Sequence, residues 1–310
     1  MTGTVVRSTG SWYDVLTDEG KRLTCKVKGS FRLRGIRSTN PVAVGDRVVV
    51  TEDSSLTPFI KEVLDRRNYI VRKASNLSKQ SHILAANIDQ ALLVATIARP
   101  ETSTTFIDRF LACAEAYRVP VVIAFNKTDE LSPEEREIKD YLTEIYTGIG
   151  YECLSISALK TTGLDSLRGI LHDKTTLMAG NSGVGKSTLL NALIPDANAR
   201  TAEISDYHQA GMHTTTYSEM FTLPEGGGLI DIPGIKGFGT FDIEPEEVAH
   251  YFREIFHISA GCRFSNCTHT HEPGCAVLEA LEDNRLAPSR YQSYISMMED
   301  KDEGKYRAAF

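Results

Sequence analysis

The order of two nucleotide-binding motifs constrains this chain more than any other feature. Asn126-Lys127-Thr128-Asp129 reads as a guanine-specificity motif, and Gly180-Asn181-Ser182-Gly183-Val184-Gly185-Lys186-Ser187 reads as a phosphate-binding loop. Guanine-nucleotide domains ordinarily present the phosphate loop first and the base loop later. Here the base loop comes 54 residues before the phosphate loop. A single pocket holding both requires a circularly permuted domain, and the permutation changes what the loops around the pocket are attached to.

Each motif sits where its chemistry needs it. The glycine-rich loop follows an apolar run at 176–179 and precedes a helical pattern at 187–193, the strand–loop–helix context of a phosphate cradle. Its glycines let backbone N–H groups close around phosphates, and the helix N-terminus adds partial positive charge. Lys186 is expected to reach the β- and γ-phosphates and Ser187 to ligate Mg²⁺. The base loop ends the apolar strand 121–125. Asp129 there accepts from the N1–H and N2–H₂ edge of guanine, a pattern adenine does not offer. Asn126 is expected to hold the loop and Lys127 to pack over the base. Ser157-Ala158, after a strand at 153–157, fits a loop whose backbone N–H meets guanine O6.

Asp231-Ile232-Pro233-Gly234 follows the strand 229–232 and matches D-x-x-G. Asp231 is expected to hold Mg²⁺ through water, and the Gly234 N–H to sense the γ-phosphate. Between the two phosphate motifs lies Gly211-Met212-His213-Thr214-Thr215-Thr216, where Thr215 is the expected Mg²⁺ ligand of a switch loop. Ile235 stands where related enzymes carry a water-orienting glutamine. Hydrolysis is therefore expected to be slow without outside help. His213 either orients or deprotonates water or only shapes its loop.

The flanks read differently. Short strands at 4–7, 12–15, 23–27, 46–50 and 59–64, separated by turn residues, suggest a small closed barrel. An OB-fold is favoured, with an SH3-like barrel close behind. Seven cations (Lys21, Arg22, Lys26, Lys28, Arg32, Arg34 and Arg37) lie within it without an intervening acid. They form either a phosphate-docking stripe or a solvated strand face. A basic connector, 66–73, leads into apolar strands alternating with helical patterns at 106–114, 134–146 and 164–171. That alternation implies a mostly parallel sheet covered on both faces.

Beyond 241 the pattern is a helix over 244–256, a cysteine-rich segment, helices over 276–284 and 289–300, and a loose tail from 302. Cys262-x4-Cys267-x-His269-x5-Cys275 has the ligand types of a closed tetrahedral structural Zn²⁺ site, with His271 as the rival fourth ligand. The division is thus 1–67 barrel, 68–240 permuted nucleotide domain and 241–310 metal-binding helical domain, a multidomain α/β chain.

The totals agree. At 310 residues a single core is improbable. No run reaches the ~20 apolar residues that span a bilayer, and the N-terminus lacks a signal-peptide core, so a cytoplasmic protein without membrane contact is expected. Six cysteines, three of them clustered, suit metal ligation in a reducing compartment rather than disulfides. A net charge of −7 argues against wholesale coating of nucleic acid.

Taken together, barrel, N-K-T-D, S-A, G-N-S-G-V-G-K-S, H-T-T-T, D-x-P-G and C-x4-C-x-H-x5-C resemble the circularly permuted, small-ribosomal-subunit-dependent GTPases of bacteria (the RsgA/YjeQ family) across nearly the whole chain. The resemblance implies an OB-fold, a permuted GTPase domain and a C-terminal zinc domain. It implies binding to the small subunit and its 16S rRNA late in assembly, with GTP hydrolysis stimulated by that subunit. Independently of the resemblance, a monomer is expected. It carries guanine contacts onto Asn126, Lys127 and Asp129, phosphate and Mg²⁺ contacts onto the segment from Gly180 to Thr188, zinc onto Cys262, Cys267, His269 and Cys275, and a catalytic role onto His213. Ile232 departs from the family's D-[ST]-P-G. The alternative reading is a GTP-gated RNA-binding module with incidental hydrolysis; a P-loop kinase or ATPase is disfavoured by N-K-T-D. Because the second switch runs through 236–239 into the metal domain, loss of the γ-phosphate is expected to reposition that domain.

Overall fold

The computed structural model describes residues 1–27, 41–51, 57–73, 81–197, 218–232 and 243–299. The N-terminal strands are β1 (Thr2–Ser8), β2 (Tyr13–Thr17), β3 (Arg22–Val27), β4 (Arg47–Thr51) and β5 (Phe59–Val63). β1, β2 and β3 form an antiparallel meander, β3 runs parallel to β5, and β5 is antiparallel to β4. β4 returns to β1 through Thr2↔Val49 and Thr4↔Arg47. This closed 1-2-3-5-4-1 circuit is an OB-type barrel and decides against the SH3-like alternative. Strand alternation points Val5, Val15, Cys25, Val48 and Ile60 into its core.

The expected basic connector is partly a ribbon, β6 (Tyr69–Lys73) paired with β7 (Ser81–Ala86). It fastens the barrel to the central domain: the Ala86 N–H donates to the Val44 carbonyl, and Asn87 Nδ2 to the Gly45 carbonyl at 3.0 Å. Arg66 joins this seam, its Nε and one terminal nitrogen each 2.6 Å from the carboxylate of buried Asp46.

The central domain alternates β8 (Gln90–Ala95), α1 (Thr104–Ala116), β9 (Val121–Phe125), α2 (Pro133–Gly148), β10 (Glu152–Ser155), α3 (Leu164–Leu171), β11 (Thr175–Ala179), α4 (Lys186–Leu193), β12 (Ser218–Thr222) and β13 (Gly228–Asp231). These strands lie in the order β10-β9-β8-β11-β13-β12. All neighbours are parallel except β12, which is antiparallel to β13. Leu93, Ile123 and Leu177 pack with Phe110 and Leu111 of α1 and Tyr146 of α2 on one face. Leu92, Val122 and Met178 pack with Leu167 of α3 and Leu190 of α4 on the other. Such strands are apolar on both sides, which is why they read as runs rather than alternations. If the chain opened before β11 instead of β8, the strands would number 2-3-1-4-5-6. The connections from β11 and β8 leave in opposite directions, and a crevice at the carboxyl ends of those two strands is where a doubly wound sheet takes ligand.

β12 also pairs with β1, Arg7↔Glu219 and Ser8↔Ser218, so barrel and central domain share one 11-stranded sheet. The helix expected over 244–256 is broken. A 3₁₀ turn over Pro245–Tyr251 is followed by α5 (Arg253–Ser259), because Phe252 adopts extended backbone (φ −105°, ψ 99°) and buries its ring. α6 (Ala276–Glu282) and α7 (Pro288–Met298) complete the C-terminal domain. Among the described residues no helix is long and apolar enough to cross a membrane.

Candidate functional site

The described motifs emerge together from the carboxyl ends of neighbouring parallel strands. The glycine loop 180–185 follows β11, the base loop 126–129 follows β9, Ser157-Ala158 follows β10, and Asp231 closes β13. Buried Asn126 joins three of these loops. Its Nδ2 donates to the Val184 carbonyl at 2.8 Å, and its Oδ1 accepts from the Ala158 N–H at 2.9 Å. A Cβ on Gly185, which sits at φ +95°, would lie 2.5 Å from that Nδ2, so the approach requires glycine.

Thr128 donates from both N and Oγ1 to the Ile156 carbonyl, at 3.2 and 2.9 Å, stitching the base loop to the end of β10. Asp129 is exposed beside it. Lys127 stands at φ +61° and donates from Nζ to the Arg99 carbonyl at 2.7 Å. Ser157 is buried, its Oγ accepting from the Lys160 N–H at 3.0 Å. Asn181, Ser182, Gly183, Ser187 and Thr188 are exposed or half-buried along the glycine loop and the first turn of α4.

Lys186 Nζ donates to the carbonyls of Gly180 and Asn181, at 2.8 and 2.7 Å. Burial pushes its ammonium pKa down, opposed by the charge of Asp231. Burial likewise raises the Asp231 carboxyl, opposed by Lys186 and by the Ile232 amide. Asp231 Oδ1 is buried without a hydrogen-bond partner among the described residues. A carboxylate oxygen left bare in a crevice of phosphate-binding type fits a hard divalent cation held there. His213, Thr215, Gly234 and Ile235 lie outside the described residues.

The second centre gathers Cys262, Cys267, His269 and Cys275, whose ligand atoms all lie within 4.8 Å of one another. His269 Nδ1 is 3.6 Å from Cys262 Sγ and 3.4 Å from Cys275 Sγ, and those two sulfurs are 3.9 Å apart. A tetrahedral ion with bonds of about 2.3 Å to sulfur and 2.0 Å to nitrogen gives edges of roughly 3.8 and 3.6 Å. Burial pushes the Cys267 thiol up to about 12 and lowers His269. Three thiols and one imidazole at these separations suit a metal ion at the centre. His271, the rival ligand, is exposed and hydrogen-bonded to Thr270 Oγ1 at 2.7 Å.

Sequence reasoning missed what holds this loop. Glu272 accepts from the Thr268 N–H and hydroxyl and from the amides of Thr270 and His271. Burial alone would raise its carboxyl, but the Thr268 hydroxyl and these amides hold it well below the usual carboxylate range. From α7, Tyr291 and Tyr294 donate to the carbonyls of His269 and Thr268, both at 2.8 Å.

A doubly wound sheet started at its fourth strand, with glycine-loop and N-K-x-D segments meeting at its switch point, is the architecture of a circularly permuted GTPase. Comparison with known proteins narrows this. A model of the RsgA GTPase family matches residues 63–241, and one of the RsgA N-terminal domain matches residues 2–60. The chain is 62% identical to the small ribosomal subunit biogenesis GTPase RsgA of Bacteroides fragilis and 60% identical to that of Phocaeicola vulgatus, over 100% of both chains in each case. Among solved structures it resembles YjeQ from Thermotoga maritima (TM-score 0.78, 37% identity, 96% of each chain). It also resembles YloQ, a circularly permuted GTPase (TM-score 0.74, 30% identity, 100% of this chain and 96% of that one). The chain belongs to the RsgA GTPase family, a family of GTP-hydrolysing enzymes.

Proposed function

We propose that this protein binds GTP with Mg²⁺ in the crevice between β8, β9 and β11, hydrolyses it to GDP and phosphate, and acts in late assembly of the small ribosomal subunit as a checkpoint and release factor. The observation that carries the reading is Asn126, whose single carboxamide joins the base loop to both the glycine loop and Ala158. Asp129 reads the guanine edge while the Ala158 segment faces O6. Backbone amides of 180–185 and the ammonium of Lys186 stabilise charge as water attacks the γ-phosphorus and its bond to the bridging oxygen breaks. Ser187, Thr215 and Asp231 are the residues that would hold Mg²⁺, and the ion would supply charge neutralisation to the phosphates; Thr188 supports the α-phosphate side and Gly234 the γ-phosphate. His213 is the candidate to orient the water, since Ile235 offers no hydrogen bond. The Cys₃His centre holds structural zinc, its four protein ligands leaving no open position.

The relatives are named for biogenesis of the small ribosomal subunit, and this supports that subunit, with its 16S rRNA, as partner of a monomeric cytoplasmic protein. The domains divide near residues 67 and 240. Phosphate release from GTP and from ATP, measured alone and with purified small or large subunits, tests the reading. Guanine preference with stimulation by small subunits only is expected. Equal turnover with either subunit would leave the alternative, a GTP-gated RNA-binding module.

A further inference from the structure

The loop between β8 and α1 carries no motif, yet it touches both halves of the nucleotide site. It is closed at its base, where the Thr96 N–H donates to Thr102 Oγ1 at 3.0 Å and the Thr102 N–H returns to the Thr96 carbonyl at 2.8 Å. At its tip Arg99 adopts left-handed backbone, φ +54°. That geometry turns its carbonyl onto Lys127 Nζ at 2.7 Å. The next residue faces the glycine loop: Pro100 Cδ is 3.2 Å from where a Cβ on Gly183 would project.

The Arg99 side chain points the other way, onto the N-terminus of α2. Its two terminal nitrogens donate to Glu135 Oε1 and Oε2 at 2.9 and 2.7 Å, and one of them also to the Glu130 carbonyl at 2.8 Å. Glu135 is itself held. Its Oε2 accepts from the Ser132 N–H at 2.9 Å and its own N–H donates to Ser132 Oγ at 3.2 Å, a reciprocal cap on α2. A forked guanidinium–carboxylate pair anchored on a helix end thus fixes the backbone unit whose carbonyl holds the lysine of the base loop.

We propose that Arg99 is a positioning residue for guanine nucleotides: its Glu135-anchored side chain holds the Arg99 carbonyl where it pre-orders Lys127 over the base site. The inference rests on the guanine-nucleotide reading above. A lysine side chain loses much rotamer freedom when it covers a base, and one already held by a carbonyl loses less on binding. The effect belongs to the base and not to the γ-phosphate, so GDP and GTP gain equally and turnover of bound GTP does not change. Because Arg99 and Glu135 are partly exposed, the gain is modest, roughly fivefold in affinity.

The test titrates N-methylanthraniloyl-GDP, with GTP and ADP as competitors, into the full chain and into Arg99→Gln, Glu135→Gln and the double variant. Glutamine at 135 still accepts from Ser132, so α2 keeps its cap. Each single variant is expected to weaken GDP and GTP alike by roughly fivefold. The double variant should be no weaker than either single one, KM should rise in step, and kcat at saturating GTP should hold. Arg99→Lys, which keeps the charge but not the fork, should recover only part of the loss. Wild-type affinity in both single variants, additive losses in the double, or a fall in kcat at unchanged Kd overturns the proposal. If Arg99→Gln does not fold, Glu135→Gln decides alone. A wild-type chain that binds ADP as well as GDP removes the guanine reading beneath it; intact guanine preference with indifferent variants removes only the clamp.

Discussion

At the scale of single residues, Asn126 shows why a short motif carries structural information. Its carboxamide presents an amino group and a carbonyl oxygen at one end of a short side chain, and each has a backbone partner, the Val184 carbonyl for Nδ2 and the Ala158 N–H for Oδ1. Both partners are backbone groups of loops that follow other strands, and Val184 and Ala158 are themselves buried. Alanine at 126 strands a buried carbonyl and a buried N–H, each unmade bond costing about 1–3 kcal/mol. Asn126→Ala is therefore expected to lower stability by roughly 2–6 kcal/mol and to weaken GDP and GTP together, because both loops lose their common support. Urea unfolding with nucleotide titration checks this. A variant of wild-type stability and affinity would mean the bridge is incidental. Asn126, the glycines and the clustered cysteines were legible in the sequence because each proposed role demands a residue type at a fixed spacing. Arg99 was not, since it acts on Lys127 through its carbonyl and any residue has one.

At the scale of elements, the joint between the central and C-terminal domains is built from charge. Arg290 of α7 is 1% exposed and lies between Asp108 of α1 and Glu254 of α5, at 2.8 and 2.6 Å. Tyr146 of α2 donates to the same Asp108 oxygen at 2.9 Å, and the guanidinium covers the Phe252 ring at 4.6 Å. Burial alone would lower the Arg290 pKa, but the two carboxylates more than offset it, so the residue stays charged. Removing the cation leaves two carboxylates in a dry interface. Arg290→Met is expected to cost about 3–5 kcal/mol, and adding Asp108→Asn should return part of that loss. Chemical denaturation of the single and double variants measures both, and an equal or larger loss in the double variant would refute the assignment. No periodicity in α7 advertises a buried arginine, since the residue type is ordinarily exposed. The same limit applies to strands. Buried parallel β8, β9 and β11 were legible as apolar runs, whereas β6 was hidden within the basic connector, and its partner β7, S-H-I-L-A-A, carries no strict alternation. β12 was missed because its half-buried S-E-M-F-T shows no clean alternation. The break at Phe252 escaped because helical spacing runs through it.

At the scale of the whole molecule, the question is whether the metal domain swings when the γ-phosphate leaves, as the route of the chain from Asp231 into that domain suggests. The packing argues otherwise. Besides the Arg290 cluster, Arg253 of α5 donates to Glu115 of α1 at 2.8 Å and to the Gly150 carbonyl at 2.8 Å, and stacks 4.0 Å over Tyr151. Arg109 of α1 reaches the carbonyl and hydroxyl of Ser296 near the end of α7. Rotation of the domain would strand several buried or half-buried charges at once, and breaking one such buried pair already costs about 3–5 kcal/mol. The barrel is fixed in turn by β1–β12 and by the hydrogen bonds from Ala86 and Asn87 to the Val44 and Gly45 carbonyls. The three domains are thus expected to move as one body. Amide hydrogen exchange of the GDP complex and of a complex with a non-hydrolysable GTP analogue separates the two pictures. Protection of α1, α5 and α7 should be the same in both. Faster exchange along α7 in the GDP state would instead show the domain leaving its seat, and the buried arginine would then be a latch that nucleotide hydrolysis opens.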